Sequence, residues 1–314
     1  MEQKWKDIRE KESNLWNGKK EEFIDALENN NEEFSWVLDD DKKLLGEKTL
    51  QKKSIKYGIP TQVTGNPETA KCFLCLFNPS VDKEFDELDY QSAKLKQYFE
   101  NIEDNISGAD YNNKIKELKS STIIINERNN IFNFNNGKYY KNYFDGINRS
   151  VDITGKALVK EKLEYEDFAK APICNIELVP YRSRQMDGLN TKKFLKESST
   201  LRLTAKIIVQ RIIDYWSGQS EKPIFFMRSV RKYKIAINSF LNKKPMFFDN
   251  IRISSFQDLI DNKLGCGDGS YLFYELLSQS GSIINTSVRP LMNSEEINKR
   301  DEGYMELIRG LYKA

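Results

Sequence analysis

Histidine is absent from all 314 residues. That absence excludes a Ser-His-Asp triad, a Cys-His nucleophile, a His general base and every His-ligated zinc or iron centre built from this chain alone. Acid–base chemistry therefore falls to Asp, Glu, Lys, Tyr or bound water. Cysteine is scarce: Cys72, Cys75, Cys174 and Cys266 are too few and too irregularly spaced for a secreted disulfide framework, so reduced thiols in a cytoplasmic protein are expected. No apolar run approaches the roughly 18 to 20 residues that a membrane span requires, and the charged Met1 to Glu12 lacks the apolar centre of a signal peptide. No membrane partner is expected.

Aromatic side chains are plentiful. The 18 Phe, 15 Tyr and 4 Trp supply large burial units that offset a hydrophobic fraction of only 39% and a charged fraction of 31%, which excludes wholesale disorder. One sizeable core, or one core with an appended segment, fits this length. Net charge is only +2, yet residues 181–250 hold 15 Lys/Arg against 5 Asp/Glu. A segregated basic stretch suits phosphate-bearing partners; spread over helix faces, the same residues would only keep the surface solvated.

In residues 1–57, charges alternate with Trp5, Leu15, Trp16, Phe23, Leu27 and Trp36, a spacing that predicts two or three amphipathic helices. They are expected to form an N-terminal helical extension packed on a main domain over 58–314, and they leave a protein partner open. The main domain carries an Asn-rich insertion at about 105–150, where Asn135-Asn136-Gly137 between aromatic runs predicts a hairpin. Strands are predicted at Lys71 to Phe77, Pro172 to Leu178, Pro223 to Met227, around Met246 to Ile253, and at Ser282 to Asn285. Helices are predicted at about 86–104, 192–216, 230–242 and 294–312, with an apolar helix from Tyr271. In the second of these, Leu201, Ala205, Ile208, Ile212 and Trp216 make the buried stripe and leave Arg202 and Lys206 outside. Alternating runs, several too continuously apolar for one wet face, predict an α/β fold, a three-layer α/β/α sandwich around a mainly parallel central sheet. Ligands in such folds bind beyond the carboxyl ends of the strands.

Polar residues stand at the ends of the predicted strands. The first, within GNPETAKCFLCLFNPS (Gly65 to Ser80), runs into Asn78-Pro79-Ser80; the second lies in NIELVPYRSR (Asn175 to Arg184); the third precedes Arg228-Ser229; the last opens INTSVRPLMN (Ile284 to Asn293). In this order the four pieces resemble the uracil-DNA glycosylase superfamily. The likeness is closer to its poorly characterised bacterial branch, in which a Gly-Asn-Pro…Ala-Lys lead enters a strand ending in Asn-Pro-Gly and a later strand ends in a Glu-x-x-Pro-Tyr-His-Ser-like turn. Asn78-Pro79 match the first motif, and Glu177, Pro180, Tyr181 and Ser183 the second. Arg228 falls where these relatives also carry Arg, and Asn285, Ser287 and Arg289 look like their final DNA-gripping loop. Ser80 replaces the motif's Gly and Arg182 stands where the relatives carry His, and the water-activating Asp and catalytic His of the best-known uracil enzymes are both missing. The resemblance therefore implies the branch with Asn in the first motif, acting on mismatched or modified bases without metal or cofactor, with DNA or a nucleotide as partner.

Cleavage of an N-glycosidic bond passes through a cationic sugar and an anionic base, and needs a placed water, a carboxylate or dipole near the sugar, and donors at the base. Asn78 is expected to orient the water and Glu177 to stabilise the sugar or act as base. Phe77 or Tyr181 would stack on an extruded base, with Ser80, Asn175, Ser183 and Asn285 beside it. Arg182, Arg184, Arg228, Ser287 and Arg289 would hold DNA. Plainer readings stand beside these: Asn78-Pro79 as a turn, Glu177 paired with Arg184 or Arg228, and Tyr181 in the core. A non-catalytic nucleic-acid or nucleotide sensor, as in phage defence, and a hydrolase of free nucleosides are the alternative functions. Cys72 and Cys75 lie at i and i+3 of a strand and so on opposite faces, which argues against zinc. Gly265 to Ser270 lacks the Lys-Ser/Thr pair of a phosphate loop, and Asp39-Asp40-Asp41 reads as a solvated turn.

Overall fold

The computed structural model describes residues 2–79, 92–102, 111–120, 125–126, 173–183, 188–248, 250–260, 272–278 and 286–290. The chain begins with a long helix, α1 (Glu2–Asn29), followed by three single-turn helices, α2 (Asp39–Lys42), α3 (Glu47–Leu50) and α4 (Lys53–Tyr57). The first strands are β1 (Val63–Thr64) and β2 (Cys72–Leu76), followed by α5 (Leu95–Ile102), α6 (Tyr111–Ser120), β3 (Ile125–Asn126) and β4 (Ile173–Glu177). Next come α7 (Lys192–Glu197), α8 (Ser199–Trp216), β5 (Ile224–Met227) and α9 (Val230–Lys243). A hairpin of β6 (Met246–Phe248) and β7 (Ile251–Ile253), then α10 (Phe256–Ile260), β8 (Phe273–Ser278) and β9 (Thr286–Pro290), complete the described elements.

Seven strands form one sheet in the order β3-β1-β4-β2-β5-β8-β9. Its centre, β4-β2-β5-β8, is entirely parallel, whereas β1 is antiparallel to β4 and β9 to β8. This is an α/β fold with a mainly parallel sheet. Every residue of β2, β4 and β5 is buried, as the continuous apolar runs of β2 and β5 require, and in β4 the burial includes Asn175 and Glu177. On one sheet face Phe73, Phe225 and Phe273 share a register row and stack at 4.7 and 5.2 Å between ring centres. That face belongs to the same core as Trp5, Trp16, Phe23 and Trp36 from residues 2–57 and Ile208 and Ile212 from α8. The N-terminal helices are thus part of the core itself: the Trp5 indole donates to Asp214 Oδ2 on α8 (2.8 Å).

Several expectations are corrected. The helix over 192–216 is two helices broken at Ser198, whose extended backbone lets its hydroxyl meet Thr200 Oγ1 (2.8 Å). The apolar helix expected from Tyr271 is instead strand β8, the fourth parallel strand. Its run is short enough for either structure, and pairing with β5 decides it. Residues 246–253 form a separate hairpin turning at Asn250, not a strand of the central sheet. Asp39–Asp41 is no solvated turn: it begins α2, and Asp41 is fully buried. The strands β1 and β3 and the helix α6 were not expected, being too short or too polar to stand out. The predicted strand at 282–285, the hairpin around 131–144, the loop at 265–270 and the helix at 294–312 lie outside the described residues.

Candidate functional site

In chain order the four central strands stand second, first, third, fourth, so the winding direction reverses between β2 and β5. Ligands of open α/β sheets bind at such a reversal, outside the carboxyl ends. The residues there are Phe77, Asn78, Arg228 and Ser229, with the end of β4 on the adjacent side.

Asn78 has a structural duty at this edge. Its Nδ2 donates to the carbonyl oxygens of Ser183 (2.9 Å), Pro79 (3.0 Å) and Tyr181 (3.5 Å). Carbonyls around one nitrogen fix which way the amide faces, since only the NH2 end donates. Ser183 N returns a bond to Pro79 O (3.1 Å), and Leu178 N and Val179 N bond Leu76 O and Phe77 O. Asn78 thereby clamps the loop after β2 to the loop after β4, with its Oδ1 on the opposite end of the amide.

Glu177 sits at the last position of β4, opposite Leu76, with Asn175 two residues before it on the same face. Both are buried, Glu177 to 4% exposure. Asn175 Nδ2 donates to Glu177 Oε1 (3.2 Å), while Glu177 Oε2 and Asn175 Oδ1 have no hydrogen-bond partner among the described residues. Burial pushes the Glu177 carboxyl up to about 7, against the opposing pull of the Asn175 hydrogen bond and the positive fields of Arg182 and Arg228. A carboxyl poised near neutrality can give or take a proton at working pH.

The arginines are held by their surroundings. Arg182 Nε donates to Ile59 O (3.1 Å), and Arg228 N extends the ladder to Cys75 O (2.8 Å). After Arg228 the chain turns sharply into α9 through Ser229, a non-glycine residue at φ 61°. One turn into α9, Lys232 Nζ lies 3.9 Å from the centre of the Phe77 ring, a cation–π contact at the reversal point. Phe77 is buried.

Tyr181 is a core tie, not a platform for a base. It is fully buried between Trp16 (6.2 Å) and Phe194 (6.5 Å); its hydroxyl donates to Asp41 Oδ2 (2.8 Å) and accepts from Leu38 N (3.1 Å). Burial pushes Asp41 above the usual carboxylate range, and hydrogen bonds from Ser198, Tyr181 and Thr200 partly oppose it. Tyr181→Phe is expected to cost about 1–3 kcal/mol, because it strips a buried carboxyl and a buried N–H of one partner together. A lower urea midpoint at unchanged slope checks this; an unchanged midpoint would refute the tie.

Ser287 and Arg289 lie on β9, opposite Leu277 and Glu275. Three strands (β2, β5 and β8) separate β9 from β4, roughly 19 Å at ordinary strand spacing. They share the sheet edge with Glu177 without sharing its immediate surroundings. Ser80, Arg184 and Asn285 lie outside the described residues. Cys72 and Cys75 are buried on opposite faces of β2, burial raises both thiols, and no metal-ligating cluster occurs among the described residues. The sequence reading missed Lys232 and the Asp41 network. Only the first had a local signal, its place one helical turn after a strand end.

No family model matches this chain, and neither a curated protein nor a solved structure does. Among the described residues no helix is long and apolar enough to cross a membrane.

Proposed function

We propose that this protein recognises a base or modified base in DNA on a three-layer uracil-DNA glycosylase-like scaffold, and that Glu177 is the acid–base group of an N-glycosidic hydrolysis. The observation that carries this reading is the Glu177 carboxyl, buried at the sheet's carboxyl edge, pushed up to about 7 by that burial, and with no hydrogen-bond partner for Oε2 among the described residues. Ionised, it would take a proton from the attacking water or stabilise the cationic sugar. Asn175 orients it through Oε1, and its Oδ1, which has no partner among the described residues, would accept from a donor on the base. The role expected of Asn78 narrows to its Oδ1, since its NH2 is committed to the clamp.

That commitment also favours a second reading, a sensor that binds nucleic acid without cleaving it. Incubation with oligonucleotides bearing uracil, mismatched thymine or bulky modified bases, followed by alkaline cleavage of abasic sites, separates the two. Strand breaks with the parent protein and none with Glu177→Gln, at retained binding, are the expected result. Equal cleavage by both proteins would remove Glu177 from the chemistry. Salt-sensitive binding without any cleavage would select the sensor. Asn78→Ala is the weaker probe, because it also releases the clamp.

A further inference from the structure

Away from the sheet edge, a cleft of about 600 Å³ opens between α2, α7, α8 and α9. Five cations line it, Lys43, Lys193, Lys196, Arg202 and Lys243, against the two acids Asp40 and Glu197. Lys43 is already paired with Asp40 (3.1 Å). Lys193, Lys196 and Lys243 are exposed and make no ion pair with a described residue. Such lysines repel one another, and an anion resolves that repulsion.

The positive surface continues along α8. Burial pushes the Lys206 ammonium below its ordinary value, and the neighbouring charges of Lys11 and Lys244 push it the same way, against the nearby Asp7. On α8 the exposed Arg202 and the half-buried Lys206 stand one turn apart, about 6 Å along the axis; with Lys193, Lys196 and Lys243 they offer more cations than a single phosphate needs, which suits a polymer of phosphates.

Where α9 ends at Lys243, the β6–β7 hairpin follows within a few residues. Met246 and Phe248 face inward, and Phe248 packs on Trp216 (6.1 Å) at the far end of α8. Alternation along the strand therefore turns Phe247 outward. It is 66% exposed, the one large hydrophobic so exposed among the described residues, and its cross-strand partner is the exposed Arg252. Four residues separate it from Lys243, at most about 14 Å of chain. An exposed aromatic beside an arginine, a short stretch of chain from a cleft whose lysines make no ion pair with a described residue, is the composition that stacks an unpaired base while phosphates are held.

We propose that the α7–α8–α9 cleft and the adjoining hairpin bind single-stranded nucleic acid, with Lys193, Lys196, Arg202 and Lys243 on phosphates and Phe247 stacked on a base. The proposal shares with the function above only the choice of nucleic acid as ligand. The test is fluorescence anisotropy with a labelled 20-nucleotide oligo-dT and a duplex of equal length, titrated over a range of salt. Phe247→Ala is expected to weaken oligo-dT binding on the order of ten-fold with the salt slope and the duplex affinity unchanged. The combined Lys193→Glu, Lys196→Glu, Lys243→Glu variant is expected to flatten the slope of log K against log salt by about 2. All four side chains are exposed, so melting curves that coincide with the parent's verify the fold. Undiminished oligo-dT binding by Phe247→Ala, an unchanged slope in the triple variant, or equal competition by polyglutamate of matched charge would each overturn the proposal. Should no lesion be cleaved while these results hold, the hydrolytic reading fails and this surface stands.

Discussion

At pH 8 the Glu177→Gln protein is expected to be more stable than the parent, by as much as about 3 kcal/mol, from a carboxyl raised from 4.5 to about 7. A raised acid favours the folded state only while protonated. The parent holds that stability in full below pH 4.5 and loses it as pH climbs through 7, because the folded chain then binds a proton that the unfolded chain has released. Glutamine carries no charge to desolvate and keeps an Oε1 for Asn175 Nδ2, so the variant should lose the Glu177 part of the pH dependence and keep the part that the raised Asp41 contributes. Urea midpoints at pH 4, 6 and 8 read the difference, with the two proteins converging at pH 4. A variant that is less stable than its parent at pH 8 would show that Arg182 and Arg228 hold Glu177 as a structural anion, and the acid–base role would fall with it. Gained stability together with lost cleavage is the pattern of a group kept for function at the expense of the fold.

Trp5→Ala is expected to cost on the order of 5 kcal/mol, a large part of the stability of an ordinary domain. Trp5 is 1% exposed, and its indole N–H satisfies Asp214 Oδ2, whose other oxygen accepts from Gln210 Nε2 (2.7 Å). Truncation removes the ring's contacts and leaves a buried carboxylate oxygen without its donor. Trp5→Phe keeps most of the contacts and loses only the hydrogen bond, so its cost should be markedly smaller. Denaturation followed by tryptophan fluorescence and by far-ultraviolet circular dichroism should give one shared transition shifted to lower urea. Two separate transitions, with the later one unmoved, would instead make α1 an appendage.

The strands most legible in the sequence are β2, β4 and β5. Cys72–Leu76 and Ile224–Met227 are short apolar runs, while Ile173–Glu177 carries Asn175 and Glu177 among its apolar residues. Asn78 and Arg228, which follow β2 and β5, and Glu177, which ends β4, stand at adjacent strand ends. Tyr271 to Leu277 is apolar but for Glu275 and too short to establish either period, so only the pairing partner makes β8 a strand. For Tyr181 the sequence leaves stacking and core both open, for the same kind of reason. Nothing local distinguishes a tyrosine that stacks on a ligand from one whose hydroxyl reaches Asp41, 140 positions away.

The absence of histidine, the reach of the apolar runs and the basic excess of residues 181–250 were settled by composition and order alone. They limit which groups can do chemistry and where strands begin, because both depend on residue type and near neighbours. The clamp made by Asn78, the lack of described partners for Glu177 Oε2 and Asn175 Oδ1, and the outward turn of Phe247 were decided only by the tertiary structure. Burial and partner choice depend on which distant segments meet, and it is those encounters that raise a carboxyl to neutrality or leave an aromatic ring in water.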